Sequence, residues 1–74
     1  MRVTVKLFAT LREGRFKAVT WDLPEGTEVG EILRRLNIKQ EEVSILLVNG
    51  REAKVCQVLS EGDAVSAFPP IGGG

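Results

Sequence analysis

Thr27-Glu28-Val29-Gly30-Glu31-Ile32-Leu33-Arg34-Arg35-Leu36-Asn37 is the one stretch of this 74-residue chain whose apolar residues keep a helical period. Val29, Ile32, Leu33 and Leu36 fall at i, i+3, i+4 and i+7, which places them on one face of a helix. Thr27 is a suitable N-cap. Glu28 and Glu31 come early and Arg34 and Arg35 late, an order that complements the helix dipole. Glu31 and Arg35 are spaced to pair at i, i+4, worth roughly a few tenths of a kcal/mol. Gly30 costs about 1 kcal/mol relative to alanine inside a helix; a close approach of the helix to a sheet would account for it. Asn37 tolerates the left-handed conformation that ends many helices.

The flanking segments alternate instead. In residues 2–9, Val3, Val5 and Leu7 face one way and Arg2, Thr4, Lys6 and Phe8 the other, as in a half-buried strand. Residues 10–14 read as a loop. Residues 15–23 alternate again, with Val19, Trp21 and Leu23 on one face, and Trp21 is expected to fill the sheet–helix core. Pro24-Glu25-Gly26 then breaks the strand. Beyond the helix, residues 43–48 form a β-branched and leucine run that ends in Asn49-Gly50, a strong hairpin-turn signal. Residues 51–55 read as a short returning edge strand and residues 59–63 as a turn. Residues 64–68 form a last strand with Val65 and Ala67 inward and Ala64, Ser66 and Phe68 outward.

The order is strand, strand, helix, strand, strand, strand. One amphipathic helix covers one face of such a sheet. The expected class is α+β. Its architecture is the β-grasp, or ubiquitin-like, arrangement: a mixed sheet of four to five strands, the first and last parallel at its centre, with one main helix packed on one face. The expected domain is residues 1–68, followed by a flexible glycine-rich tail over residues 69–74.

Composition excludes several functions. Ten basic residues balance ten acidic ones, so general attraction to nucleic acid or to a membrane is not expected. The sequence holds no histidine and one cysteine. A structural zinc site of the usual type and a histidine-based triad therefore have no ligands or base. The chain is not expected to be an enzyme by itself, nor to bind a metal or cofactor. A lone cysteine fits a reducing cytoplasm, and the alternating N-terminus is unlike a signal peptide. Cys56 is expected to pack or to be incidental. Arg34-Arg35 reads as a solvated helix end.

Two features remain. The first is the uncovered face of the sheet. Residues 43–48 are apolar on both faces, with Val43, Ile45 and Leu47 on one and Leu46 and Val48 on the other. One set must meet solvent or a partner, and Leu46 and Val48 are assigned to that outer set. Phe8 and Phe68 end parallel strands on the same face, so their rings are expected at one end of the sheet, beside the root of the tail. An exposed apolar patch with aromatic members marks an interface.

The second feature is the end, Phe68-Pro69-Pro70-Ile71-Gly72-Gly73-Gly74. Prolines stiffen a segment, and glycines allow backbone to approach a reacting group closely. Four residues from Ile71 reach about 13 Å at ~3.3 Å each. A carboxylate is a poor acyl donor, but ATP can convert it to an acyl-adenylate from which AMP departs. A persulfide attacking that carbonyl gives, after reduction, a thiocarboxylate. An amine gives an amide. Both need an unhindered terminal glycine, so composition does not separate them.

Leu7-Phe8-Ala9-Thr10-Leu11-Arg12-Glu13, Leu23-Pro24-Glu25-Gly26-Thr27, Val48-Asn49-Gly50, Glu61-Gly62-Asp63 and the Phe68–Gly74 end, taken together and in this order, resemble the MoaD/ThiS family. These are the small subunit of molybdopterin synthase and the thiamine-pathway sulfur carrier. The resemblance covers nearly the whole chain. It implies a β-grasp carrier whose C-terminal glycine is adenylated by an E1-like enzyme and converted to a thiocarboxylate. By resemblance Gly74 carries the sulfur, Gly72 and Gly73 belong to the tail, and Phe8, Phe68, Pro69, Pro70 and Ile71 join Leu46 and Val48 in docking. ATP is used by the activating partner. The implied second partner is the large subunit of molybdopterin synthase or an equivalent sulfur acceptor enzyme, and the free chain is expected to be a cytoplasmic monomer.

Phe68-Pro69-Pro70 and Leu7-Phe8-Ala9 favour the molybdopterin type. The compact connection over residues 38–43 is closer to the thiamine carrier. Arg51-Glu52 stands where an apolar residue is common after the hairpin turn, and Gly72 where a slightly larger residue is common. A thiamine-type carrier, or a ubiquitin-like modifier forming isopeptide bonds through Gly74, is the alternative.

Overall fold

The computed structural model describes residues 1–70. Ile71, Gly72, Gly73 and Gly74 lie outside the described residues, and so does most of the expected tail. The elements are β1 (Arg2–Leu7), a 3-10 turn (Ala9–Arg12), β2 (Ala18–Asp22), α1 (Val29–Arg35), a second 3-10 turn (Gln40–Glu42), β3 (Ile45–Val48), β4 (Arg51–Glu52) and β5 (Ala64–Phe68). The strands form one sheet in the order β2-β1-β5-β3-β4. β1 and β5 are its parallel centre, with Thr4 opposite Ala64 and Leu7 opposite Ala67. Every other neighbouring pair is antiparallel. This is the β-grasp arrangement expected from the sequence.

The core follows the alternation. Val3, Val5, Leu7, Val65 and Ala67 are buried from the central strands, and Val29, Ile32 and Leu33 from α1. Leu11, Leu23, Ile38 and Leu59 close it from the connections. Burying each large aliphatic side chain contributes about 1.5–3 kcal/mol. Leu36, at the end of the apolar stripe, and Trp21 are half-buried and pack against this core.

The ends of α1 differ from the expectation. Its N-cap is Glu28, and no side chain caps it. The Thr27 hydroxyl donates instead to the Pro24 carbonyl at 2.7 Å, closing the preceding turn. The first helical N–H groups are satisfied by a distant segment: Val29 donates to Gln57 O at 3.0 Å and Gly30 to Val55 O at 2.8 Å. A Cβ on residue 30 would stand 3.1 Å from that same Val55 oxygen. The close approach read from Gly30 is therefore real, but it is to the chain after β4 rather than to the sheet. At the other end Asn37 is left-handed, with φ 58°, and Ile38 N–H donates to Leu33 O at 2.9 Å. Arg15 reaches over to donate to Leu36 O and Leu11 O, both at 3.2 Å. β2 begins at Ala18 and not at residue 15; the Arg15 N–H closes a turn onto Arg12 O at 2.9 Å instead of pairing in the sheet.

Glu31 pairs with Arg34 at 3.7 Å rather than with Arg35. Arg35 lies over the Trp21 ring, its Cζ 5.1 Å from the centroid. An i, i+3 carboxylate satisfies the first arginine of the pair and leaves the second free to cover the aromatic.

Candidate functional site

The open face of the sheet is built by parity. Phe8 follows β1 on its outer side, and its N–H donates to Ala67 O at 3.2 Å, which holds it beside Phe68. The two rings stack with centroids 4.1 Å apart and planes at 10°. Ile45 is the antiparallel partner of Phe68 and is 41% exposed. Phe8, Phe68 and Ile45 thus make one apolar row across β1, β5 and β3, at the end where the chain leaves through half-buried Pro69 and exposed Pro70. Both rings were expected here, at the root of the tail, and here they are.

The 3-10 turn after β1 completes this corner. Ala9 takes φ 51° and Leu11 N–H returns to Phe8 O at 3.2 Å, so β1 stops at Leu7 and residues 9–12 curl instead of extending. Arg12 Nε donates to Leu7 O at 2.7 Å, and the Arg12 Cζ lies 5.4 Å from the Phe8 centroid. A cation over an aromatic face contributes about 0.5–1 kcal/mol at an exposed site. Arg12 was named only within the family motif. Its placement on the ring has no signal in spacing, because a residue five positions beyond a strand end can point anywhere.

Two docking assignments are corrected. Leu46 and Val48 are buried, at 9% and 5% exposure. They pair with Ala67 and Val65, and opposed residues of an antiparallel pair share a face. The helix side therefore takes Leu46 and Val48, and the open face takes Ile45 and Leu47. Alternation could not decide this, since both sets are apolar. The parity of Phe68 against Ile45 decides it. Leu47 continues the surface one row inward, between Ser66 of β5 and Glu52 of β4.

A polar network steadies the far end of β5. Asn49, in the hairpin turn at φ 54°, accepts from Ala64 N–H at 2.9 Å through Oδ1 and donates to Asp63 Oδ1 at 2.8 Å through Nδ2. Asp63 Oδ2 accepts from Ser60 N–H at 2.8 Å. The Val48-Asn49-Gly50 and Glu61-Gly62-Asp63 motifs are thus one structural unit.

Cys56 is exposed, so it is not a packing residue. It borders an open groove of about 530 Å³ between α1 and residues 37–41. Among the described residues no group of three histidine, cysteine or acidic side chains could hold a metal ion. No helix there is long and apolar enough to cross a membrane. The carrier and docking expectations on Ile71, Gly72, Gly73 and Gly74 lie outside the described residues.

The sequence model described as the ThiS family matches residues 5–74. Small archaeal modifier protein 3 of Haloferax volcanii is 32% identical over an alignment of 93 positions that covers all of both chains. The crystal structure of small archaeal modifier protein 1 from the same organism is 27% identical, covers all of both chains and superposes with a TM-score of 0.78. The structure of a putative molybdopterin converting factor subunit 1 from Pyrococcus furiosus is 29% identical, with 96% of this chain and 99% of that one covered and a TM-score of 0.75.

Proposed function

The chain belongs to the ThiS family of ubiquitin-like sulfur carriers, and from that premise we propose that it carries sulfur on the carboxyl group of Gly74. The observation that carries this reading is that the family match runs through residue 74, taking in the unhindered glycine end. An E1-like enzyme transfers AMP from ATP to the Gly74 carboxylate and releases pyrophosphate. A persulfide on that machinery attacks the activated carbonyl, and AMP leaves. Reduction of the resulting acyl disulfide by a thiol frees the thiocarboxylate. No group of this chain performs a proton transfer in that sequence. Its own contribution is the docking face of Phe8, Phe68 and Ile45, which fixes where the tail departs.

The sulfur acceptor in this reading is the large subunit of a molybdopterin synthase or an equivalent enzyme. The likeness to a molybdopterin converting factor subunit 1 and the Phe68-Pro69-Pro70 exit support it. The test is intact mass spectrometry of the chain made in its native host with the activating enzyme present. One oxygen replaced by sulfur at the C-terminus is the expected result. An unaltered carboxylate on every molecule overturns it.

The likeness to small archaeal modifier protein 3 favours a second reading. There the same Gly74 adenylate is attacked by a lysine amine of a target protein, giving an isopeptide. Its mark is a glycine remnant on target lysines after digestion of larger conjugates.

A further inference from the structure

The sheet has two edges, and they are unlike. β4 is two residues long. β2 is five, Ala18–Asp22, and contains neither proline nor glycine. Its bonding phase to β1 is fixed at both ends. Met1 and Leu23 exchange both backbone bonds, each 2.7 Å, and Leu7 N–H donates to Lys17 O at 3.0 Å. Lys17, Val19, Trp21 and Leu23 therefore turn their N–H and C=O groups toward β1. Ala18, Thr20 and Asp22 turn theirs away from the sheet, and no described residue pairs with those groups. An unpaired row of donors and acceptors is a template for another strand.

The flank of this edge is chemically specific. On the helix side it presents Trp21 with the Phe16 ring set edge-on at 5.8 Å. A hollow of about 110 Å³, lined by Leu23, Pro24, Thr27, Glu31, Ile32 and Arg35, lies between α1 and the connection that follows β2. Charge is uneven along the edge. Asp22 at one end is held by the N-terminal ammonium at 3.6 Å. Lys17 stands at the other end and Arg35 over Trp21, and neither forms an ion pair among the described residues.

We propose that the free edge of β2 takes one extended, acidic segment of a partner protein as a sixth strand, with aliphatic side chains toward Trp21. Main-chain bonds to Ala18, Thr20 and Asp22 supply the affinity, and alternate side chains supply the choice of partner. The acidic groups answer Lys17 and Arg35. This edge lies across the sheet from Ile45 and leaves the Phe8–Phe68 row free, so one chain can hold such a segment while the row is engaged. The inference does not rest on the chemistry of Gly74.

The test uses the full 74-residue chain, labelled with nitrogen-15, and a capped peptide of sequence Glu-Ile-Thr-Ile-Thr-Ile-Glu. Saturable shifts of the Ala18, Thr20 and Asp22 amides, with exchange slowed about tenfold at saturation, are expected. A peptide with lysine in place of both glutamates should bind about tenfold more weakly, and Arg35→Glu should narrow that difference. N-methylation of alternate peptide amides separates strand addition from adhesion. One set of alternate amides should abolish binding and the other should leave it. Three results overturn the proposal: no saturable shift at β2, equal loss with either methylated set, or self-association of the free chain through β2, which would assign the edge to a second copy.

Discussion

The rings of Phe8 and Phe68 stack at 4.1 Å with planes 10° apart, although sixty residues separate them in the chain. The parallel pairing of β1 with β5 brings them level. Such a pair contributes about 0.5–1.5 kcal/mol beyond its buried area, and both rings are only half-buried. Stability is therefore not their main cost when lost.

Phe68→Asp is the direct check on the docking row. It should lower unfolding free energy by no more than about 2 kcal/mol, because the core beneath, at Ala67 and Leu7, stays closed. Affinity for the activating enzyme should fall at least about tenfold, since a carboxylate would be buried against an apolar contact. Urea unfolding and a binding titration on the same preparation give both numbers. A collapse of the folded state would place the ring in the core instead.

Asn49 answers for the far end of β5. Asn49→Ala removes the acceptor for Ala64 N–H and the donor to Asp63, and it leaves a Cβ-bearing residue at φ 54° without the side chain that makes this conformation tolerable. Together these should cost about 2 kcal/mol by urea unfolding. Asn49→Gly keeps the conformation and loses only the side-chain bonds, so it should cost about half as much. Equal losses for the two variants would remove the conformational part of the argument.

Gly30→Ala reverses a propensity rule. In an open helix the change would stabilise by about 1 kcal/mol. Here the new Cβ meets a backbone oxygen at 3.1 Å, and that oxygen also accepts the Gly30 N–H. Residues 55–59 satisfy the start of α1, so pushing them away opens the helix end as well. A net loss of about 1 kcal/mol is expected, read from the denaturation midpoint. A gain would show that the segment after β4 yields freely.

These cases mark what the sequence carried. The strands, the one helix, the Asn49-Gly50 turn and the level of Phe8 with Phe68 were all legible, because alternation, helical period and turn chemistry are local signals. The face of Leu46 and Val48 was not. With apolar residues on both sides of β3, only cross-strand register assigns a face, and register is a property of pairs far apart in sequence. The partner of Gly30, the reach of Arg15 to the end of α1 and the link from Asn49 to Asp63 escaped for the same reason. Each is a contact across the fold, and a local signal such as Gly30 or Asn49 marks one partner without naming the other.

Removing Gly73 and Gly74 separates the body from the chemistry. The buried core runs from Val3 to Ala67, and the sheet ends at Phe68. The truncated chain should therefore keep its unfolding free energy within about 0.5 kcal/mol. It should also still bind the activating enzyme through the Phe8–Phe68 row, with affinity reduced but measurable. Adenylation, followed as release of pyrophosphate from ATP, should be lost outright, because the new terminal carboxylate stops about 7 Å short at ~3.3 Å per residue. Retention of pyrophosphate release would detach the activation step from Gly74 and with it the sulfur-carrier reading. Loss of folding would make the glycine end structural.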